Sequence, residues 1–304
     1  MAEPTIDPKQ LEIWAGYLLD HSLGGVDPSD RIMVKGERIC WPLMEVLERR
    51  IIEAGAVPDV YLVPPNNERG RVWSATMGRL GSPAQLEAIP DWHRARYESM
   101  TKYIEVLGAE DPQRYTGLTP DQVKALAQAD RPFANIRLSK SWVITLYPTP
   151  GMAKMEGMDF GEYTEFIVGA STTDPRPLKQ AEEALAPYID RAGTITIETR
   201  HPHEDRDLRL TMNLEHSRAV MSYGLRNFPD GEVFTSPDAR STEGEIFVDL
   251  PVHYGGHDIQ GIGDKHVTWI HNVMNMDAVM CIDDIESKMG MQMLVEEPGK
   301  KLLS

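Results

Sequence analysis

The sequence predicts an α/β fold, in which an N-terminal domain with a parallel sheet is followed by a second, β-rich (α+β) domain. Residues 31–63 show the order strand, helix, strand, which is typical of a parallel βαβ unit with a right-handed crossover. After Gly193 apolar and polar residues alternate, as they do in half-exposed strands. A chain of 304 residues is also long enough for two domains of roughly 150 residues each.

The first βαβ unit follows an N-terminal helix. Residues 8–22 are predicted to be helical because apolar side chains recur there with helical spacing. These side chains are Leu11, Trp14, Ala15, Leu18 and Leu19. Residues 31–35 form the first predicted strand, residues 39–54 a helix that stops at Gly55, and residues 57–63 the second strand.

The α/β pattern continues to about residue 190. Helices are predicted for residues 71–80 and 85–96, and a strand for residues 102–107. Another helix is predicted to begin with Thr119 as its N-cap and Pro120 in its first turn. A fourth strand covers residues 141–146. Residues 152–190 are predicted to be helical and peripheral, with Met152, Met155 and Met158 filling the core.

The β-rich region is predicted to begin near residues 187–193. Strands are expected at residues 194–199, 207–211, 233–235 and 244–249. The chain therefore divides into an α/β domain at 1–190, a β-rich domain at 191–262 and a tail at 263–304 of unusual composition, which holds six of the 16 methionines.

The composition excludes several functional classes. The net charge of −16 argues against a nucleic-acid partner, since phosphate binding needs clustered Lys and Arg. No apolar run approaches the roughly 18 residues that a membrane helix needs. Two distant cysteines, Cys40 and Cys281, give neither a disulfide framework nor a thiolate metal knuckle. With a polar, acidic N-terminus, these features predict a cytoplasmic protein.

Nucleotide binding is the first rival function that an α/β pattern raises. A dinucleotide fold needs a glycine-rich turn after its first strand. Here the turn reads KGER at residues 35–38, with one glycine and an acid where phosphate would bind. The sequence therefore argues against a nucleotide site.

Isolated histidines are weaker candidates for a metal site. His201 and His203 lie on an acidic, Pro-containing segment that is more typical of a solvated turn. His253, His257 and Asp258 are possible ligands after the fourth β-rich strand, although each is more often a turn or surface residue.

The most informative stretch reads GLRNFPDGEVFTSP at residues 224–237. Turn-forming residues precede a short apolar strand, so Glu232 is predicted to lie where a loop becomes a strand. Residues 227–237 resemble the N-x-P-D-G-E-V-[FY]-T-[AS]-P signature of the aminopeptidase T family of metallo-aminopeptidases. Shorter matches in the same order extend the resemblance over residues 8–262.

The resemblance implies a two-domain homodimer with two divalent metal ions, Zn, Co or Mn, which removes N-terminal residues from short peptides. Such a metal pair would polarise the scissile carbonyl and supply a hydroxide at neutral pH. The glutamate of the signature is a metal ligand in the family, and in this chain that residue is Glu232. Asp230 and the turn amides are expected to orient it.

The tail departs from the family, which carries further ligands in a longer C-terminal region. Only His271 and the pair Asp283 and Asp284 are possible substitutes, so the β-rich domain is expected to be incomplete through truncation or a frameshift. Two alternatives to a metallo-aminopeptidase follow. One is a non-catalytic or assembly-dependent relative without a complete metal site, and the other is a relative of mononuclear Fe(II) ring-opening dioxygenases.

Overall fold

The computed structural model describes residues 6–63, 72–110, 112, 117–201, 204–241 and 243–245. The described residues form two compact units. The first contains those up to residue 154 together with 158–195 and 212–241, and the second contains those in 155–157, 196–211 and 243–245.

The helices are α1 (Pro8–Gly16), α2 (Trp41–Glu53), α3 (Ala75–Leu80), α4 (Pro83–Glu87), α5 (Asp91–Ser99), α6 (Pro120–Leu138), α7 (Pro150–Met155), α8 (Phe160–Ser171) and α9 (Arg176–Arg191). The strands are β1 (Arg31–Glu37), β2 (Val57–Val63), β3 (Lys102–Leu107), β4 (Ser141–Leu146), β5 (Thr194–Arg200), β6 (Asp207–Asn213), β7 (Val220–Ser222), β8 (Asn227–Phe228), β9 (Glu232–Phe234) and β10 (Glu243–Gly244).

A five-stranded sheet organises the first unit. Its strand order is β2-β1-β3-β4-β8, and each neighbouring pair is parallel. The sheet with its helices confirms the predicted α/β class. The sequence does not predict the fifth strand, β8, because two residues are too few to give a periodic signal.

Apolar side chains cover both faces of this sheet, because successive strand residues point to opposite sides. Ile32 and Val34 of β1 belong to the larger core, which α1 and α2 complete with side chains such as Trp14 and Leu47. Met33, between them, belongs to a second core. That core contains Tyr97 of α5, Phe133 of α6, Tyr103 and Trp142.

Several helix boundaries differ from those expected. The α-helical part of the first helix ends at Gly16, and a π-helical turn, Tyr17–Ser22, continues it. The helix expected at 85–96 is two helices, α4 and α5, because Pro90 immediately precedes α5 in an extended conformation. The predicted start of α6 is confirmed, with Thr119 as the N-cap and Pro120 as its first residue. Met152 and Met158 pack against the larger core, as expected.

The second unit contains most of a three-stranded sheet with the order β10-β6-β5. β10 runs antiparallel to β6, with Gly244 opposite Leu210, which confirms a separate β-rich region. The strand expected at 244–249 falls largely outside the described residues. Within the described part of the chain, every helix is too short or too polar to cross a membrane.

Candidate metal-site carboxylates

The signature turn, residues 224–237, is attached to the parallel sheet at its start. In β8, Asn227 lies opposite Ile144 and Phe228 lies opposite Thr145 of β4. The Phe228 side chain is only 3% exposed, and its ring centroid lies 5.8 Å from that of Tyr17. The core of the first unit therefore fixes the chain just before the acidic residues of the turn.

The π-helical turn supplies two further contacts to this segment. His21 Nε2 donates a hydrogen bond of 2.7 Å to the carbonyl of Tyr223. Ser22 Oγ donates to the carbonyl of Gly224 at 2.5 Å. These two carbonyls lie at the start of the signature turn, so an irregular stretch of backbone receives the hydrogen-bond partners that a strand ladder would otherwise provide.

Glu232 is the first residue of β9, one position earlier than the strand start that the sequence indicates. β9 pairs antiparallel with β7, and Glu232 lies opposite Ser222. The ladder holds its backbone, while its side chain is exposed. The structure thus places this carboxylate at the junction of a loop and a strand.

Helix α9 packs directly against the acidic part of the turn. A Cβ atom at Gly231 would lie 3.0 Å from Cδ2 of Leu178, so a glycine allows this close approach. One helical turn after Leu178, Glu182 faces the same side of the helix. Its side chain is buried, with 4% exposure. Neither of its carboxylate oxygens has a hydrogen-bond partner of normal geometry among the described residues.

Three carboxylates therefore influence one another at this place. Burial is the main cause that raises the pKa of Asp230 from 3.8 to about 6; the hydrogen bond from the Gly231 N–H opposes it, and repulsion from Glu232 and Glu182 adds to it. Burial also raises the pKa of Glu182, with a further contribution from Glu232. Asp230 accepts its hydrogen bond from the Gly231 N–H at 2.9 Å, and its role in orienting Glu232 stays a prediction. Mutual repulsion of this kind is relieved when a cation binds.

The importance of Glu182 is not evident from the sequence, which predicts residues 152–190 to be peripheral. One signal was available. Leu178, Glu182 and Ala186 are spaced by four residues, so the glutamate lies on the apolar side of an amphipathic helix. A carboxylate is rarely buried there without a partner.

One of the other candidate ligands, His201, lies within the described residues, as does Cys40. No three His, Cys, Asp or Glu side chains in the described ranges are arranged to hold a metal ion. Cys40 is fully buried, and burial raises the pKa of its thiol well above the usual range. His201 lies at the end of β5, where its N–H donates to the carbonyl of Arg206.

The remaining predicted candidates cannot be placed, since they fall outside the residues that the structure describes. They are His203, His253, His257, Asp258, His271, Asp283 and Asp284.

The carboxyl ends of β1 and β3 form the point where the strand order changes direction, which is the usual ligand position in doubly wound sheets. Here the buried side chain of Glu37 accepts a hydrogen bond of 3.1 Å from the N–H of Glu110. Cys40 Sγ lies 3.7 Å from the Gly108 carbonyl. A carboxylate occupies the place where a phosphate would meet free amides, which supports the interpretation against nucleotide binding.

Comparison with known proteins gives one family. The model of the thermophilic metalloprotease (M29) family matches residues 8–264. Aminopeptidase PepS of Streptococcus thermophilus is 24% identical over 59% of this chain and 50% of its own length. The chain thus spans about half the length of the curated relative that it matches.

The fold is similar to that of solved structures. Wild-type AmpT from Thermus thermophilus has a TM-score of 0.60 and 19% identity, and the match covers 82% of this chain and 66% of AmpT. A 2,5-dihydroxypyridine dioxygenase from Pseudomonas putida KT2440 has a TM-score of 0.41 and 15% identity, over 79% of this chain and 59% of that protein. A similarity at that TM-score carries no argument about function.

Proposed function

Because the chain belongs to the thermophilic metalloprotease (M29) family, we propose that it is a metal-dependent aminopeptidase that removes N-terminal residues from short peptides. The observation that carries the proposal is the position of Glu232. The carboxylate of the family signature is exposed at the start of β9, beside two further carboxylates whose pKa values are raised by burial and by mutual repulsion.

The described carboxylates supply part of a donor set for a divalent metal, since no three potential ligands are grouped among the described residues. Carboxylate oxygens suit Zn, Co or Mn, and Glu182 provides an orphaned buried carboxylate whose repulsion a cation would offset. Glu232 would bind the ion through its exposed carboxylate, and the β7–β9 ladder would fix the direction of approach. We propose two such ions per site, which would supply Lewis-acid activation of the scissile carbonyl.

The decisive assay measures release of leucine from a chromogenic N-terminal leucine substrate by the full chain, with Co²⁺ or Zn²⁺ added. We expect activity that depends on the metal and falls at least about 100-fold in Glu232→Gln, because removal of a ligand charge weakens metal binding. Glu215→Gln is the matched control, since Glu215 is also exposed and lies outside the signature turn. Activity that survives Glu232→Gln would remove the role assigned to this residue.

We also propose that the enzyme is a cytoplasmic homodimer. The buried, unpaired thiol of Cys40 suits a reducing compartment. Light scattering on a size-exclusion column should give the mass of two chains, and cell fractionation should recover the protein with the cytoplasmic markers. A monomeric mass would refute the dimer, and recovery outside the cytoplasm would refute the location.

A further inference from the structure

Glu182 is an unusual residue for the buried side of a helix. The residues one turn before and after it, Leu178 and Ala186, are apolar and packed. Its own side chain is 4% exposed, and neither oxygen has a hydrogen-bond partner of normal geometry in the described part of the chain. Buried carboxylates are normally paired or bound to metal, because burial of an uncompensated charge is costly.

The surroundings of Glu182 bring it to the position of the proposed metal ligand. Leu178, one turn earlier, contacts Gly231, the residue immediately before Glu232. Helix α9 also packs on β7 and β9, the two strands of the antiparallel ladder. In that ladder Ser222 lies opposite Glu232, and the backbone N–H of Ser222 is close enough to Glu182 to lower its pKa against the effect of burial. The helix and the ladder thus present carboxylates from two separate elements to one place.

We propose that Glu182 is a further carboxylate of the cation site and that its charge faces the divalent ion bound by Glu232; this inference rests on the proposed metal-dependent function. A residue that only packs α9 would gain nothing from a charge at this position. A residue that faces a cation needs the charge, and the bound ion offsets the cost of burying it. The lack of a well-formed hydrogen bond at both oxygens, among the residues that the structure describes, agrees with the second role.

The test is calorimetric titration of the metal-free full chain with Co²⁺ at pH 8, repeated with Zn²⁺. Glu182→Gln keeps the size of the side chain and removes its charge, so we expect the metal dissociation constant to rise about 10- to 100-fold. Glu183→Gln is the matched control. Glu183 is the neighbouring residue, and its exposed carboxylate lies 3.7 Å from Lys179 Nζ. This control should bind metal as the wild type does.

Thermal unfolding distinguishes this role from a purely structural one, because the two roles predict opposite changes in the melting temperature of the metal-free variant. Without metal, Glu182→Gln should melt at the same temperature as the wild type or higher, because it removes repulsion from Glu232 and Asp230. With saturating Co²⁺ it should gain less than the wild type. Glu182→Asp, which retains the charge on a shorter side chain, should bind metal with intermediate affinity.

The outcomes separate this inference from the proposed function. Wild-type affinity in Glu182→Gln, or a lower melting temperature of the metal-free variant with unchanged metal affinity, would overturn the role of Glu182 and leave the aminopeptidase proposal intact. A wild-type chain that binds neither Co²⁺ nor Zn²⁺ would overturn both.

Discussion

At the scale of single residues, glycine is needed at position 224 for two separate physical reasons. Its φ of 90° is strained for any residue with a side chain, and a Cβ atom there would lie 2.8 Å from Cδ2 of the buried Phe228 ring. Gly25 has a similar φ of 96°, but a Cβ atom added to it would meet no atom of the described residues within 4 Å. The two glycines therefore separate backbone strain from steric overlap.

We expect Gly25→Ala to lower the free energy of unfolding by about 1–2 kcal/mol through backbone strain alone. Gly224→Ala should cost a further 1–3 kcal/mol or so, because the Phe228 ring must move. Urea denaturation of both variants measures the difference. Equal losses in the two variants would mean that the Phe228 ring can move aside without lowering the free energy of unfolding.

His93 makes the stability contributed by the second core depend on pH. Its side chain is 2% exposed, its ring centroid lies 4.7 Å from that of Phe133, and Nε2 has no hydrogen-bond partner among the described residues. Burial, followed by the charges of Lys35 and Arg96, lowers its pKa from 6.5 to about 4. The unfolded chain therefore binds the proton more tightly than the folded chain does.

This depressed pKa predicts that His93 contributes full stability above about pH 6.5 and that the contribution is lost as pH falls towards 4. The expected loss is about 2 kcal/mol between pH 7 and pH 5. His93→Phe lacks the titrating ring and should not show this loss. As pH falls from 7 to 5, the free energy of unfolding of the variant minus that of the wild type should therefore increase by the same amount. The other acids titrate in both proteins and cancel in the comparison. A difference that stays constant with pH would contradict the assignment.

At the scale of elements, the N-terminus of α6 is the boundary that sequence reasoning predicted best. Thr119 Oγ1 accepts from the N–H of Gln122 at 3.3 Å, and Gln122 Oε1 accepts from the N–H of Thr119 at 2.9 Å. This reciprocal capping box satisfies two backbone donors that the helix cannot satisfy itself.

Loss of this cap should destabilise the first unit modestly. We expect Thr119→Ala to lower the free energy of unfolding by about 1 kcal/mol. Thr119→Ser should retain most of the wild-type stability, because serine keeps the accepting oxygen. Thermal unfolding followed by circular dichroism measures both. A serine variant as unstable as the alanine variant would show that the methyl group, rather than the cap, matters.

The elements that sequence reasoning found were those with local causes. Strands β1 to β4 and helices α2 and α6 follow from periodicity, caps and turns within each segment. The π-helical turn was not predicted, because Leu18 and Leu19 continue the same apolar stripe as α1. The addition of β8 to the sheet, and the approach of Glu182 to Glu232, depend on pairing between distant segments, which no local pattern records.

At the scale of the whole molecule, the net charge of −16 makes any added cation stabilising, so specific metal binding must be separated from screening. A metal ion at a free concentration of 100 times the dissociation constant of its site adds about 2.7 kcal/mol to the free energy of unfolding. We therefore expect micromolar Co²⁺ to raise the melting temperature of the wild type, and a chelator to reverse the rise.

The matched comparison is Glu232→Gln, which changes the net charge by only one unit. Screening acts on both proteins nearly equally, so at equal ionic strength the variant should show only the small shift that NaCl or Mg²⁺ also produces. The wild type should show an additional shift that saturates with Co²⁺ concentration, because binding at a defined site follows mass action. If both proteins respond alike, the stabilisation comes from the acidic surface and Glu232 is not part of a metal site.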